Sequence, residues 1–148
     1  QIARLAPDWT RHDGYYVRAL PDGGNEAPAL FKTKGRYYMF ASGLTGWRPN
    51  PGRVYVADKV TGPWRPLGNP VRGSEEDRKT TFHSQSTFVL PLPPERPGAE
   101  PRFIFMADRW RPEIAIDGRY VWLPVEWEGE TPVLRWRDRW TLVDGWKA

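Results

Sequence analysis

An internal repeat limits the architecture of this chain more than any other feature of its sequence. An aromatic strand pattern, a loop ending in Trp, and a Gly-Arg pair leading into another strand pattern occur twice in the same order. The first copy is Arg36-Tyr-Tyr-Met-Phe-Ala41, Trp47 and Gly52-Arg53-Val-Tyr-Val56. The second is Arg102-Phe-Ile-Phe-Met-Ala107, Trp110 and Gly118-Arg119-Tyr-Val-Trp122. Further short aromatic and β-branched runs, Ala29 to Thr33, Thr87 to Leu90 and Pro132 to Trp136, lie between turn residues. Such runs read as antiparallel strands. Lys34-Gly35 reads as a two-residue hairpin turn, and Pro93 to Pro101 as a longer loop at the equivalent place in the second copy.

A fourth strand can complete each copy: Gly62 to Leu67 in the first, and Pro132 to Trp136, extended by Trp140 to Val143, in the second. The expectation is therefore an all-β chain of four-stranded antiparallel units, the blades of a β-propeller. With 148 residues there is room for about two blades and a leading fragment in one partial domain, residues 1–148, and a closed ring does not fit. The 16 Pro and 14 Gly interrupt every candidate amphipathic run, so almost no helix is expected.

Composition removes several function classes. There is no Cys, which excludes disulfide scaffolds, zinc ribbons and thiol nucleophiles. Apolar runs are all far shorter than the ~20 residues a spanning helix needs, so no membrane insertion is expected. The net charge of +4 comes from interspersed signs. Arg and Trp alternate in Arg109-Trp-Arg111 and from Leu134 to Trp140, a pattern compatible with stacking on single-stranded nucleic acid. Acidic residues are scattered through it, and strand alternation puts Trp and Arg on opposite faces, so no nucleic-acid partner is expected. Neither a phosphate-binding glycine loop nor a metal-ligand spacing is present, and no cofactor or metal is expected.

Asn25-Glu26-Ala27-Pro28-Ala29-Leu30-Phe31, with Gly35-Arg-Tyr-Tyr38 and the loop Ser42-Gly-Leu-Thr-Gly-Trp47-Arg-Pro-Asn50, resembles the five-bladed propeller glycosidases of glycoside hydrolase family 43. Thr81-Phe-His-Ser-Gln85-Ser-Thr-Phe-Val89, Ala107-Asp108-Arg109-Trp110 and Arg119 to Pro124 are most similar to its exo-β-1,3-galactanase branch. The resemblance runs from about Glu26 to Trp140. It implies roughly the C-terminal half of a five-bladed propeller, because acidic residues of the family's earlier blades have no counterpart here. A fragment and a short form completed by association both fit, and a homo-oligomer is expected from uncovered blade faces.

The implied activity is inverting release of galactose from β-1,3-galactan or arabinogalactan chains, by a secreted or periplasmic enzyme. Inversion needs an acid at the leaving oxygen and a group that activates water across the sugar, typically about 6.5 to 9.5 Å apart. An acid working near neutrality needs a pKa raised by its surroundings. Glu26 is the candidate acid, on backbone expected to be held extended before Pro28. The bland reading is a solvated loop Glu. Gln85 stands where the resemblance places the base. A neutral amide is a poor base but can orient water; equally, Gln85 can satisfy strand-end backbone groups. Asp108 is either a companion carboxylate or the structural partner of Arg109. Trp47, with Thr45 and Asn50 nearby, is the preferred wall for the apolar face of a sugar, Trp110 is the second, and His83 is a candidate hydroxyl contact. Most of the nine Trp are expected to pack between strands. The competing function is a non-catalytic carbohydrate-binding half propeller.

Overall fold

The computed structural model describes residues 1–20 and 23–146 and is all-β, with short helical turns only. Its main sheet has four antiparallel strands in sequence order: β3 (Asn25–Thr33), β4 (Arg36–Gly43), β5 (Arg53–Ala57) and β6 (Arg65–Gly68). Lys34 and Gly35 form the β3–β4 turn with φ of 51° and 75°, the left-handed pair that matches the twist of a two-residue hairpin. A second sheet holds β8 (Gln85–Leu92), β9 (Arg102–Arg109) and β10 (Arg119–Pro124), antiparallel, with β9 central.

The second copy of the repeat does not acquire its expected fourth strand. Residues 132–135 lie in β12 (Thr131–Arg135), which pairs antiparallel with β11 (Glu126–Glu128) and parallel with β7 (Val71–Arg72). Leu134 N–H also donates to the Pro70 carbonyl, at 2.9 Å. Val71, Val133 and Leu134 are completely buried there, so the segment gains more by closing the core beneath both larger sheets than by extending β10. Nor does Trp140 to Val143 form a strand; Thr141 and Asp144 close a turn through the 2.6 Å Thr141 N–H to Asp144 Oδ1 bond.

Besides β7 and β11, three further features were not expected from sequence. A hairpin of β1 (Ile2–Leu5) and β2 (His12–Val17) precedes the main sheet. A six-residue helix, α1 (Glu75–Thr80), is fixed by a reciprocal capping box between Ser74 and Asp77. A short 3₁₀ segment spans Pro112–Asp117.

The main sheet is buried on both faces, which is why β4 reads as a continuous apolar run instead of alternating. Phe31, Tyr38, Phe40, Val54 and Val56 point into the principal core, where they meet Phe103, Phe105, Val121 and Leu123 of the second sheet. Met39, Ala41, Tyr55 and Ala57 face the other way, with Trp64, Ile2 and Leu20 over them. Phe40 and Phe105 meet edge to face at 5.2 Å, and Phe31 lies 4.8 Å from Phe103. The interior is thus built from Phe and aliphatic residues. The expectation that most Trp pack between strands is corrected: of the nine, Trp64 alone is buried. An indole N–H needs an acceptor, and the paired strands of a sheet interior offer few. Trp64 and Trp146 find carbonyls outside the strands, at Val60 and Val125, and Trp140 finds that of Trp122 on β10, an edge strand.

Glu130, on the β11–β12 turn, joins two parts of the fold by accepting from Arg36 at 3.0 Å and from Arg65 at 2.8 and 2.9 Å. The Arg65 hydrogen bond, opposed in part by desolvation, holds its carboxyl below the ordinary glutamate value. A carboxyl lowered on folding stabilises the native state above its unfolded pKa, and that contribution disappears as pH falls through the folded one. Urea titrations from pH 7 to 3 should therefore show less acid destabilisation in Glu130→Gln than in the parent. Phe105→Ala, which empties the meeting point of the two sheets, should cost about 3–5 kcal/mol in equilibrium urea unfolding.

Candidate functional site

Glu26 and Gln85 come from neighbouring strands of different sheets, and each sits beside irregular backbone. In β3 the pairing with β4 shifts between Glu26 and Ala29, and Ala27 takes φ of 52°. The expectation of extended backbone before Pro28 is thereby corrected. A bulge with a left-handed residue breaks strand alternation and re-aims the side chain next to it. Ser86 Oγ holds this bulge by donating to the Ala27 carbonyl at 2.6 Å.

Gln85 opens β8 one residue, Ser84, after Thr81, Phe82 and His83, three consecutive non-glycine residues with φ of 53°, 56° and 56°. Left-handed conformations cost energy for such residues and persist only where surroundings impose them. Here Phe82 is buried, its carbonyl accepts from Arg109 Nη2 at 2.6 Å, Thr81 Oγ1 donates to the Asn50 carbonyl at 2.8 Å, and Ser84 Oγ donates to the Thr81 carbonyl at 2.6 Å. A second register shift follows between Ser86 and Phe88.

The outcome is a direct contact: Gln85 Nε2 donates to Glu26 Oε1 at 2.9 Å and to Ser42 Oγ at 2.8 Å. Both amide hydrogens are used, and Gln85 Oε1 is left as an acceptor. Ser42 is a site residue that sequence reasoning missed. Its one visible signal is its place at the end of an aromatic strand, before Gly43.

Glu26, Gln85, Gly46, Trp47 and Trp110 line an open pocket of about 300 Å³. Trp47 and Trp110 meet edge to face at 5.2 Å and form its aromatic wall, so the two repeat copies each contribute one indole. Trp47 keeps 63% of its surface exposed, far more than a packing residue would.

Thr45 and Asn50 serve the loop itself. Asn50 Oδ1 accepts from Gly43 N–H at 2.7 Å, its Nδ2 donates to the Gly43 carbonyl at 3.2 Å and to Thr45 Oγ1 at 2.7 Å, and Thr45 Oγ1 donates to the Arg48 carbonyl at 2.5 Å. Asp108 stands opposite Gln85 in the β8–β9 register but lines a larger adjoining groove, outside the Glu26 pocket. The Arg109 guanidinium goes instead to the Phe82 carbonyl and lies over Trp136 at 5.2 Å, and burial together with the Arg111 charge lowers its pKa. His83 borders a narrow crevice with Asn50 and Gln85, its ring 3.7 Å from Glu76. Among the described residues no cluster of His, Asp and Glu suited to a metal ion occurs, and no helix is long and apolar enough to cross a membrane.

Asn50→Ala removes three hydrogen bonds that brace the Trp47 loop and should destabilise it by about 1–3 kcal/mol. Faster amide hydrogen exchange confined to residues 43–50 is the expected result; unchanged exchange there would show that the loop does not depend on Asn50.

No family profile and no curated protein sequence matches the chain. Solved structures do. A family-43 β-1,3-galactosidase solved with galactodeoxynojirimycin is 48% identical with a TM-score of 0.84, covering 93% of this chain and 38% of its own. A second family-43 β-1,3-galactosidase is 31% identical with a TM-score of 0.86, covering 97% and 29%. The exo-β-1,3-galactanase of Phanerochaete chrysosporium, solved with β-1,3-galactotriose, is 30% identical with a TM-score of 0.75, covering 89% and 28%. The chain therefore spans about a third of the length of these proteins. With likeness of this order along nearly its whole length, it belongs to glycoside hydrolase family 43, in the branch of the β-1,3-galactosidases and exo-β-1,3-galactanases.

Proposed function

We propose that the Glu26 pocket is the galactose site of an exo-acting, inverting β-1,3-galactanase that removes terminal galactose from β-1,3-galactan and arabinogalactan chains. The observation that carries this reading is the Glu26–Gln85–Ser42 hydrogen-bonded chain beneath the paired indoles of Trp47 and Trp110. Its location in strands matched by family-43 β-1,3-galactosidases supports it. The fold behind it is two blades of a larger propeller, the second with its fourth strand diverted.

Glu26 is assigned as the acid that protonates the leaving oxygen, and Gln85 as the group that positions water. At 2.9 Å the two side chains are closer than an inverting pair with a sugar between them. Substrate entry is therefore expected to part them, with catalytic contacts forming only in the complex. When Glu26 turns to the glycosidic oxygen, Ser42 still holds one N–H of Gln85. That leaves the amide oxygen of Gln85 to accept a hydrogen bond from the attacking water. The apolar face of galactose packs on the indoles. A polymeric substrate of this kind is met outside the cytoplasm, which is where we place the enzyme.

A second reading, sugar binding without turnover, is favoured by the paired indoles, which can hold the apolar face of a sugar whether or not Glu26 acts as an acid. Chromatographic assay of free galactose from β-1,3-galacto-oligosaccharides separates the two. Hydrolysis is expected from the parent chain, with a loss of at least about a hundredfold in Glu26→Gln and unchanged urea unfolding. Release by Glu26→Gln at the parental rate would remove Glu26 as the acid. Binding of the oligosaccharide with no release by the parent would establish the second reading.

A further inference from the structure

Trp47 and Trp110 have a second side. Beyond the Glu26 pocket the same two indoles border a groove of about 580 Å³, whose far wall is Tyr120, Ile116, Arg111 and Arg119. Tyr120 leaves the sheet opposite Asp108 in the β9–β10 register. The 3₁₀ segment Pro112–Asp117, between β9 and β10, brings Ile116 to the rim. Tyr120 is 76% exposed and Ile116 96%, and with Trp47 and Trp110 they give the groove one apolar lining open to solvent.

The charge of the groove is as distinctive as its aromatic content. Arg109, Arg111 and Arg119 line it against the single carboxylate of Asp108. Asp117 bridges two of these cations: Arg111 Nη1 donates to Asp117 Oδ2 at 2.6 Å, and Arg119 pairs with Oδ1. Each guanidinium has five N–H donors. Arg119 Nη1 also donates to the Asp117 carbonyl at 2.9 Å and to the Gly118 carbonyl at 3.3 Å, so Arg111 keeps more of its donors for a ligand than Arg119 does. Both side chains stay more than half exposed while held as a pair. Two tethered guanidiniums next to stackable rings suit a planar carboxylate carried on a ring with an apolar face.

We infer that this groove is a second saccharide subsite, for an acidic, uronate-bearing sugar on the substrate chain beyond the galactose held in the Glu26 pocket. The inference rests on the galactose reading of that pocket, because Trp47 and Trp110 join the two spaces. Tyr120 supplies the stacking face, Arg111 and Arg119 bind the carboxylate, and Asp117 tethers both guanidiniums at the groove. Arg109, committed to the Phe82 carbonyl and to Trp136, adds field without a direct bond.

The test compares two probes by isothermal titration calorimetry with the full chain in a Glu26→Gln background, which is the parent for this comparison and leaves both probes intact: β-1,3-galactobiose, and a galactobiose bearing one glucuronic acid. The acidic probe is expected to bind about fivefold more tightly at low ionic strength, and the advantage should shrink in 0.5 M NaCl. Arg111→Gln combined with Arg119→Gln should erase the advantage while galactobiose affinity stays parental. Tyr120→Ala should weaken the acidic probe more than the neutral one. Equal affinity of the two probes for the parent, or an advantage that survives the double variant, would overturn the inference. Inorganic phosphate that displaces the acidic probe at equal concentration would also overturn it, by showing a simple anion site. Release of galactose by the unsubstituted chain and its loss in Glu26→Gln test the galactose pocket separately, because Glu26 lines that pocket and not the groove, so failure of one reading is distinguishable from failure of the other.

Discussion

Everything in this fold depends on two sheets sharing one aromatic core. Phe31 and Phe40 of the first sheet meet Phe103 and Phe105 of the second at ring distances of 4.8 and 5.2 Å. Close packing at that seam sets where the two sheets' strand ends come together, and β3 and β8 end up side by side. Neither Glu26 nor Gln85 takes part in the core, yet their 2.9 Å contact exists because the phenylalanines beneath them fix the offset between the sheets. The hairpin β11–β12 and the short strand β7 close the remaining opening with Val71, Val133 and Leu134.

Against this regular base, the site is made from departures from regularity. Ala27 and the run Thr81 to His83 hold left-handed backbone that ordinary residues avoid, and each departure is secured by identifiable bonds from Ser86, Arg109 and Thr81. Strain of this sort is stable only where neighbours over-determine it, and it concentrates where side chains must be aimed. Loop bracing follows the same logic. Asn50 and Thr45, whose polarity suggested sugar contact, hold the loop that presents Trp47. The aromatic surface a sugar would meet is therefore positioned by polar groups that face into the loop.

The two copies of the repeat meet at this surface. Trp47 from the first and Trp110 from the second form one edge-to-face pair, with the Glu26 pocket on one side and the Tyr120 groove on the other. A pair of indoles with two accessible sides gives a natural boundary between adjoining sugar positions. The first side is uncharged apart from Glu26, and the second is dominated by arginine.

Sequence alone determined the local terms of this protein: antiparallel strands where aromatic and β-branched runs occur, a tight turn at Lys34-Gly35, and the all-β class that 16 Pro and 14 Gly leave open. Those features follow from backbone sterics and side-chain periodicity, which act within a few residues. Glu26 and Gln85 were legible as candidates only through the resemblance of their motifs to family 43, whereas Trp47 and Trp110 stood out as indoles in the repeated loops, which is a local feature. What the tertiary structure decided was non-local. It sent residues 131–135 to pair with Val71-Arg72 because burying Leu134 outweighs extending β10, and it turned Asn50 inward because the loop's own backbone groups are its nearest partners. It also kept all but one Trp out of the buried core and brought Ser42 under Gln85 from 43 residues away. Which faces of a sheet are covered, and which polar groups are left over, depends on the summed packing of the whole chain, and no short stretch of sequence carries that information.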